Sequence, residues 1–230
     1  LTYNDLWIPE KKNTNITVNM SHKYYYLQNN KLSGHGNIQL SLKSSSIMSD
    51  YDFAQLTLEA INRNSISGYQ IHTRFFIQRG FGSNFPLESM LYAAGSNPES
   101  LMENPFTRSK GWIPNDWTGY SNNSGTFHMG GGLNLRGFSG YYMTEPTDDG
   151  SVNIYQGTSG IAFNTEIDYT SKIPKLNYWG LSSYIFMDVG VMNENNTTEK
   201  IAFSRPHMDL GMGFSWELSR LWDHVLDSEP

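Results

Sequence analysis

The chain has 230 residues, a net charge of −6 and no cysteine. That length suits one large or two small domains; the acidity argues against nucleic acid as a partner, because phosphate binding needs a basic surface, and the missing thiols exclude disulfides and thiolate metal sites. Aromatic residues make up 14% and charged residues 17%, a balance that favours β-structure, and neither a signal peptide nor an apolar run of about 18 residues is visible. Low hydropathy leaves a membrane barrel open, since a transmembrane strand is apolar only at alternate positions.

Seven segments alternate with period two, and no amphipathic helix stands out. In chain order, ITVNMSHKYYY predicts a strand over about 14–26, and GNIQLSLKSS one over 36–46 with Ile38, Leu40 and Leu42 on one face. FAQLTLEAIN falls in a strand over 52–66 that aligns Ala54, Leu56, Leu58 and Ala60, and YQIHTRFFIQR predicts 69–80. A long connection, 81–156, follows, in which FPLESMLYAAG carries a helical turn. Beyond it, IAFNTEIDY predicts a strand over 157–171, with Ala162, Asn164, Glu166 and Asp168 on the polar face. LSSYIFMDVGVM predicts 180–192, with Phe186, Asp188 and Gly190 opposite Ile185, Met187, Val189 and Val191. HMDLGMGFSW predicts 206–218; Met208, Leu210, Met212, Phe214 and Trp216 share one face, and His207, Asp209, Gly211, Gly213 and Ser215 the other.

These strands exceed the usual five or six residues and match the 9–11 that cross a membrane. Tyrosines and tryptophans gather at segment ends, at Tyr24 to Tyr26, Tyr169, Tyr178, Trp179 and Trp216, as in the aromatic girdles of outer-membrane barrels. The polar faces hold small residues beside isolated charges, whereas a solvated sheet face is richer in Lys and Glu. Short connections near Gln28–Lys31, Ser46–Tyr51 and Ser67–Gly68 contrast with the long one, and long loops are usually functional. Alternation alone also fits a soluble β-sandwich whose core is the apolar face.

Within the long loop, GGGLNLRGFSGYY sets Arg136 after Gly130, Gly131 and Gly132 and between Leu135 and Phe138. An arginine in that company is buried and needs a carboxylate. The segment resembles the glycine-led V/L-R-G-F/Y motif of the BamA/TpsB translocon superfamily, outer-membrane barrels that insert or secrete β-rich proteins. Two further motifs of that superfamily follow in order: a strand with an inward glutamate, similar to FNTEIDY, and F-x-D-x-G, matched by FMDVG. Each is short, and their order behind an exceptionally long loop carries the resemblance, which is clear over 130–218.

The resemblance implies an antiparallel transmembrane β-barrel with the loop, through Gly137 and Phe138, folded into its lumen. It implies that Arg136 pairs with Asp188 and Glu166, both of which the alternation independently assigns to the polar face. It implies the bacterial outer membrane as location, with Met208, Leu210, Met212, Phe214 and Trp216 facing lipid. Unfolded barrel proteins or secreted proteins would be substrates, with accessory subunits beside them. A guanidinium offers five donors in a rigid fork, suited to bracing a loop against a wall; whether it only stabilises the barrel or also gates passage stays open.

The chain departs from the family in several respects. Seven strands fall short of a full barrel of roughly sixteen, four before the loop and three after it. Docking repeats are missing, the end at RLWDHVLDSEP lacks a terminal aromatic strand, and SKGWIPNDWTGYSNNSG is an extra insertion. Seven strands leave two open edges that hydrocarbon does not permit, so the reading is of part of a larger barrel.

No catalytic residue is expected. His22, His35, His72, His128, His207 and His224 lack metal spacing, and no nucleophile elbow or dinucleotide fingerprint occurs. No metal or cofactor is expected, and the energy for assembly would come from substrate folding. Two alternatives remain: a barrel that anchors, or serves as exit pore for, an attached enzyme outside this chain, and a soluble glycan-binding β-sandwich.

Overall fold

The computed structural model describes residues 10–28, 31–66, 68–86, 89–93, 132–135, 156–170, 181–193 and 205–216. The described chain is all-β. Strands β1 (Asn15–Gln28), β2 (Lys31–Ser45), β3 (Asp52–Ile66) and β4 (Tyr69–Asn84) precede the long loop. Within that loop lie two short strands, β5 (Leu91–Tyr92) and β6 (Gln156–Gly157). After it come β7 (Gly160–Thr170), β8 (Leu181–Met192) and β9 (His207–Trp216).

The seven long strands form one sheet in the order β1-β2-β3-β4-β7-β8-β9, every pair antiparallel, with β1 and β9 as its edges. The sheet is not closed. Strands β5 and β6 pair separately, so β4 and β7 are neighbours in the sheet although the whole loop separates them in sequence.

The two largest boundary differences from the sequence reading have physical reasons, and the strand predicted over 157–171 begins at Gly160, with Gly157 in β6 instead. Strand β2 starts at Lys31 rather than 36, taking in KLSGHG. Glycine weakens an isolated strand, but here aromatic rings cover the glycine backbone. Tyr24 lies opposite Gly36, where an added Cβ would collide with its ring, and Tyr26 lies opposite Gly34. Strand β4 runs on to Asn84 instead of stopping at 80. Its ladder with β3 slips between Asp52 and Ala54 and resumes at Asp52↔Asn84. Gly82, at φ 119°, permits the irregularity. In the segment expected to carry a helical turn, Ser89 N–H donates to Pro86 C=O at 3.1 Å, and extended backbone follows at Leu91.

Register assigns the faces. Cross-strand partners share a face, and the pairing Arg74↔Asn164, Asn164↔Asp188, Asp188↔Asp209 draws one polar row across four strands. The apolar set lies on the other face: Ile16, Val18 and Met20 of β1, Ile38 and Leu42 of β2, Leu56 of β3, Phe75 of β4, Ile161, Phe163 and Ile167 of β7, and Ile185 of β8 are all exposed. On β9, Met208 is 67%, Leu210 81% and Met212 75% exposed, while on the polar face Arg74, Asn164 and Asp188 are each 0% exposed. The sheet thus exposes its apolar face and buries the centre of its polar one. The side chains of Phe214 and Trp216 lie outside the described residues. No helix among the described residues is long and apolar enough to cross a membrane.

Candidate functional site

What buries the polar face is the loop. Residues 132–135 lie against β4, β7 and β8, and Leu133 and Leu135 are fully buried. With Phe76, Leu91, Ala93, Ala162 and Met192 they form the main apolar cluster. Each contributor from the wall is a small or apolar residue set among polar neighbours on its strand. The seat itself is made by glycines: a Cβ on Gly190 would touch Leu135 Cδ2 at 3.2 Å, and one on Gly160 would touch Leu133 Cδ2 at 3.2 Å. Leu133 N–H donates to Tyr92 C=O at 3.1 Å and Leu135 N–H to Ala93 C=O at 2.9 Å.

Beside that cluster sits a buried polar constellation centred on Arg74 of β4. Its Nε–H donates to Glu59 of β3 at 2.5 Å, Nη1 to Asn164 Oδ1 of β7 at 2.8 Å, and Nη2 to the backbone C=O of Gly132 at 2.9 Å. Its guanidinium also stands 4.7 Å from the centre of the Phe76 ring. Asn164 turns its other end to the loop: Nδ2 donates to Leu133 C=O at 3.2 Å and to Asn134 C=O at 3.0 Å. Three consecutive loop carbonyls therefore face one pair of wall side chains. Backbone conformation allows this, because Gly132 at φ 69° and Asn134 at φ 53° are both left-handed.

The returning end of the loop is pinned at the same rim. Asn193 Oδ1 accepts from the backbone N–H groups of Thr158 (2.9 Å) and Ser159 (2.7 Å), while its Nδ2 donates to Thr158 Oγ1 at 3.0 Å. From β4, Gln78 Nε2 donates to Thr158 C=O at 3.2 Å.

Of the residues singled out from sequence, Glu166 (8% exposed) and Asp188 (0%) are buried on the polar face. Asp188 comes close enough for its charge to act on Arg74. Glu166 pairs in register with His72, whose Nε2 lies 3.2 Å from Asp168 Oδ2. Gly190 and Leu135 meet directly, and Phe186 stacks on Tyr184 with its ring over Gly211. Arg136, Gly130, Gly131, Gly137 and Phe138 lie outside the described residues. No group of three or more His, Asp or Glu side chains suited to a metal ion occurs among the described residues.

No protein-family model matches the chain, and no curated protein does. The site therefore stands on its own geometry. Sequence reasoning missed Arg74, Glu59 and the role of Asn164. The signal was present in YQIHTRFFIQR, where His72, Arg74 and Gln78 alternate against Ile71, Phe75 and Ile77. An arginine in the middle of an alternating strand demands a carboxylate as much as one in a glycine-rich loop does.

Proposed function

We propose that this chain is part of an outer-membrane β-barrel that inserts or exports β-rich proteins, with the loop bracing its lumen. The observation that carries the reading is the inverted sheet: an exposed apolar face and a polar face buried under the loop. In water, an apolar face this extensive is unfavourable, since each large aliphatic side chain gains about 1.5–3 kcal/mol on burial. Lipid removes that penalty. A soluble sandwich would instead bury Met208, Leu210 and Met212, which are exposed here.

The placement of charge supports the motif reading. Glu166 and Asp188 are both buried on the polar face, and a buried carboxylate favours cations around it. Arg136 directly follows Leu135, which sits on Gly190, two residues along β8 from Asp188. In this reading Arg136 brings its charge to Asp188, with Glu166 one step further along the wall. Substrate strands would add to the sheet edges by β-augmentation, in an outer membrane and with further strands or subunits completing the barrel. No residue is assigned a catalytic role.

The test is a double-mutant cycle with Arg136→Gln and Asp188→Asn, read as delivery of a reporter β-barrel protein to the outer membrane. Each single change removes one half of the ion pair and should lower delivery at least tenfold. The double change should recover part of that loss. Additive losses would separate the two residues, and undiminished delivery in both singles would remove the translocon reading.

A further inference from the structure

We propose that Arg74 and Asn164 are positioning residues that hold the loop by its backbone carbonyls, independently of Arg136. The proposal rests on the reading of the loop as a lumenal brace, and it assigns the seating of that brace to residues outside the motif.

The argument is one of donors and acceptors. Arg74 spends Nε on Glu59 and Nη1 on Asn164 Oδ1, which fixes the guanidinium plane and leaves Nη2 for Gly132 C=O. Its bond to Asn164 Oδ1 also fixes which way the amide is turned. With the oxygen held by Arg74, Nδ2 must face the loop, where it meets Leu133 C=O and Asn134 C=O. Arg74 therefore acts on the loop both directly and through Asn164. All of these wall groups are at least nine-tenths buried except Glu59, whose side chain is 16% exposed, so water competes poorly for the three carbonyls. None of these bonds involves a loop side chain. The clamp reads the shape of the loop backbone, and the left-handed Gly132 and Asn134 present that shape. Glu59 matches the Arg74 charge locally.

Asn164→Asp separates this role from a merely structural one. An aspartate keeps the acceptor for Arg74, now as an ion pair that offsets part of the repulsion from Asp188, its partner in register on β8. It loses both donors to the loop and turns a carboxylate oxygen towards two carbonyls. Because the chain has no cysteine, Leu135→Cys provides a single thiol whose alkylation by a water-soluble maleimide reads loop seating. The whole protein is assayed in its membrane, with unfolding in urea followed in parallel. Two lost hydrogen bonds at about 1 kcal/mol each correspond to a roughly thirtyfold rise in alkylation rate. Because the new carboxylate lies opposite Asp188, the urea midpoint is expected to fall, and the expected result is that the thiol is freed at urea concentrations well below that midpoint. Arg136→Ala should raise the rate less than Asn164→Asp does, because it leaves all three carbonyl contacts in place.

The proposal is overturned if Asn164→Asp leaves the thiol at position 135 as protected as in the L135C parent, or exposes it only together with unfolding of the sheet. It is equally overturned if Arg136→Ala frees that thiol as fully as Asn164→Asp does. If the thiol is freed by Asn164→Asp alone while reporter delivery continues unchanged, the clamp stands and the translocon role of the loop falls.

Discussion

Asn134 is held in place by its backbone. Its φ of 53° suits Asn better than most residues, and its C=O meets Asn164. Its side-chain amide is buried, at 1% exposure, and makes no hydrogen bond to the described residues. A buried unpaired amide costs about 1–3 kcal/mol, whereas glycine occupies the same backbone region without strain. Asn134→Gly should therefore be neutral or stabilising by up to about 1 kcal/mol in urea unfolding. Asn134→Val should destabilise by about 2 kcal/mol or more, because a β-branched residue resists positive φ. Equal losses for the two variants would mean that the amide matters and the backbone account is wrong. This residue also marks a limit of sequence reading. Asn134 sits inside the GGGLNLRGF stretch that drew attention to Arg136, yet a left-handed conformation is not visible in residue types alone. Arg74 was legible in principle, as a charge in mid-strand, but its partners lie on β3, β7 and the loop. Only the register of three separate strands brings them together.

At the scale of elements, the strands were largely legible because period-two alternation is a local signal. All seven long strands lie where alternation predicts them. The differences fall at the ends, where cross-strand context overrides local propensity: aromatic rings rescue the glycines of β2, and a bulge at Gly82 carries β4 past its expected stop. The interior of the loop was not legible, because its seat is built from small residues on distant strands, Gly160, Ala162 and Gly190. The faces make a prediction that belongs to whole strands. On β9, Leu210→Arg places a charge on the exposed apolar face; against lipid it should cost about 2–4 kcal/mol near the bilayer midplane. On β2, Gln39→Arg lies on the polar face opposite Glu59 and should cost less than about 1 kcal/mol, since the new charge meets an acid rather than hydrocarbon. Heat-modifiable migration in gels would report both. Equal tolerance of the two changes would contradict the assignment of the apolar face to lipid.

At the scale of the whole molecule, strand parity constrains what completes the sheet. Every neighbouring pair is antiparallel, so β1 and β9, the first and seventh strands in order, run in the same direction. A wholly antiparallel barrel has an even number of strands. Closure therefore takes an odd number of additional strands. A second copy of this sheet would supply seven, an odd number, but inserted in the same orientation it would create parallel seams and so cannot give a wholly antiparallel barrel. The expected outcome is that cysteines introduced by Met20→Cys on β1 and Met212→Cys on β9 form no disulfide between copies in the membrane. A β1–β9 bridge between copies at high yield would show closure by self-association and contradict the parity argument.

The central claim, that the apolar face meets lipid while the polar face and its loop lie inside, can be tested most directly by spin-label accessibility. In the cysteine-free chain, nitroxides at position 210 on the apolar face and position 39 on the polar face are compared after membrane reconstitution. The account predicts that the label at 210 is relaxed by oxygen and shielded from a water-soluble nickel chelate, with the opposite preference at 39. A label at 210 that is shielded from oxygen, or open to the aqueous chelate, would contradict it.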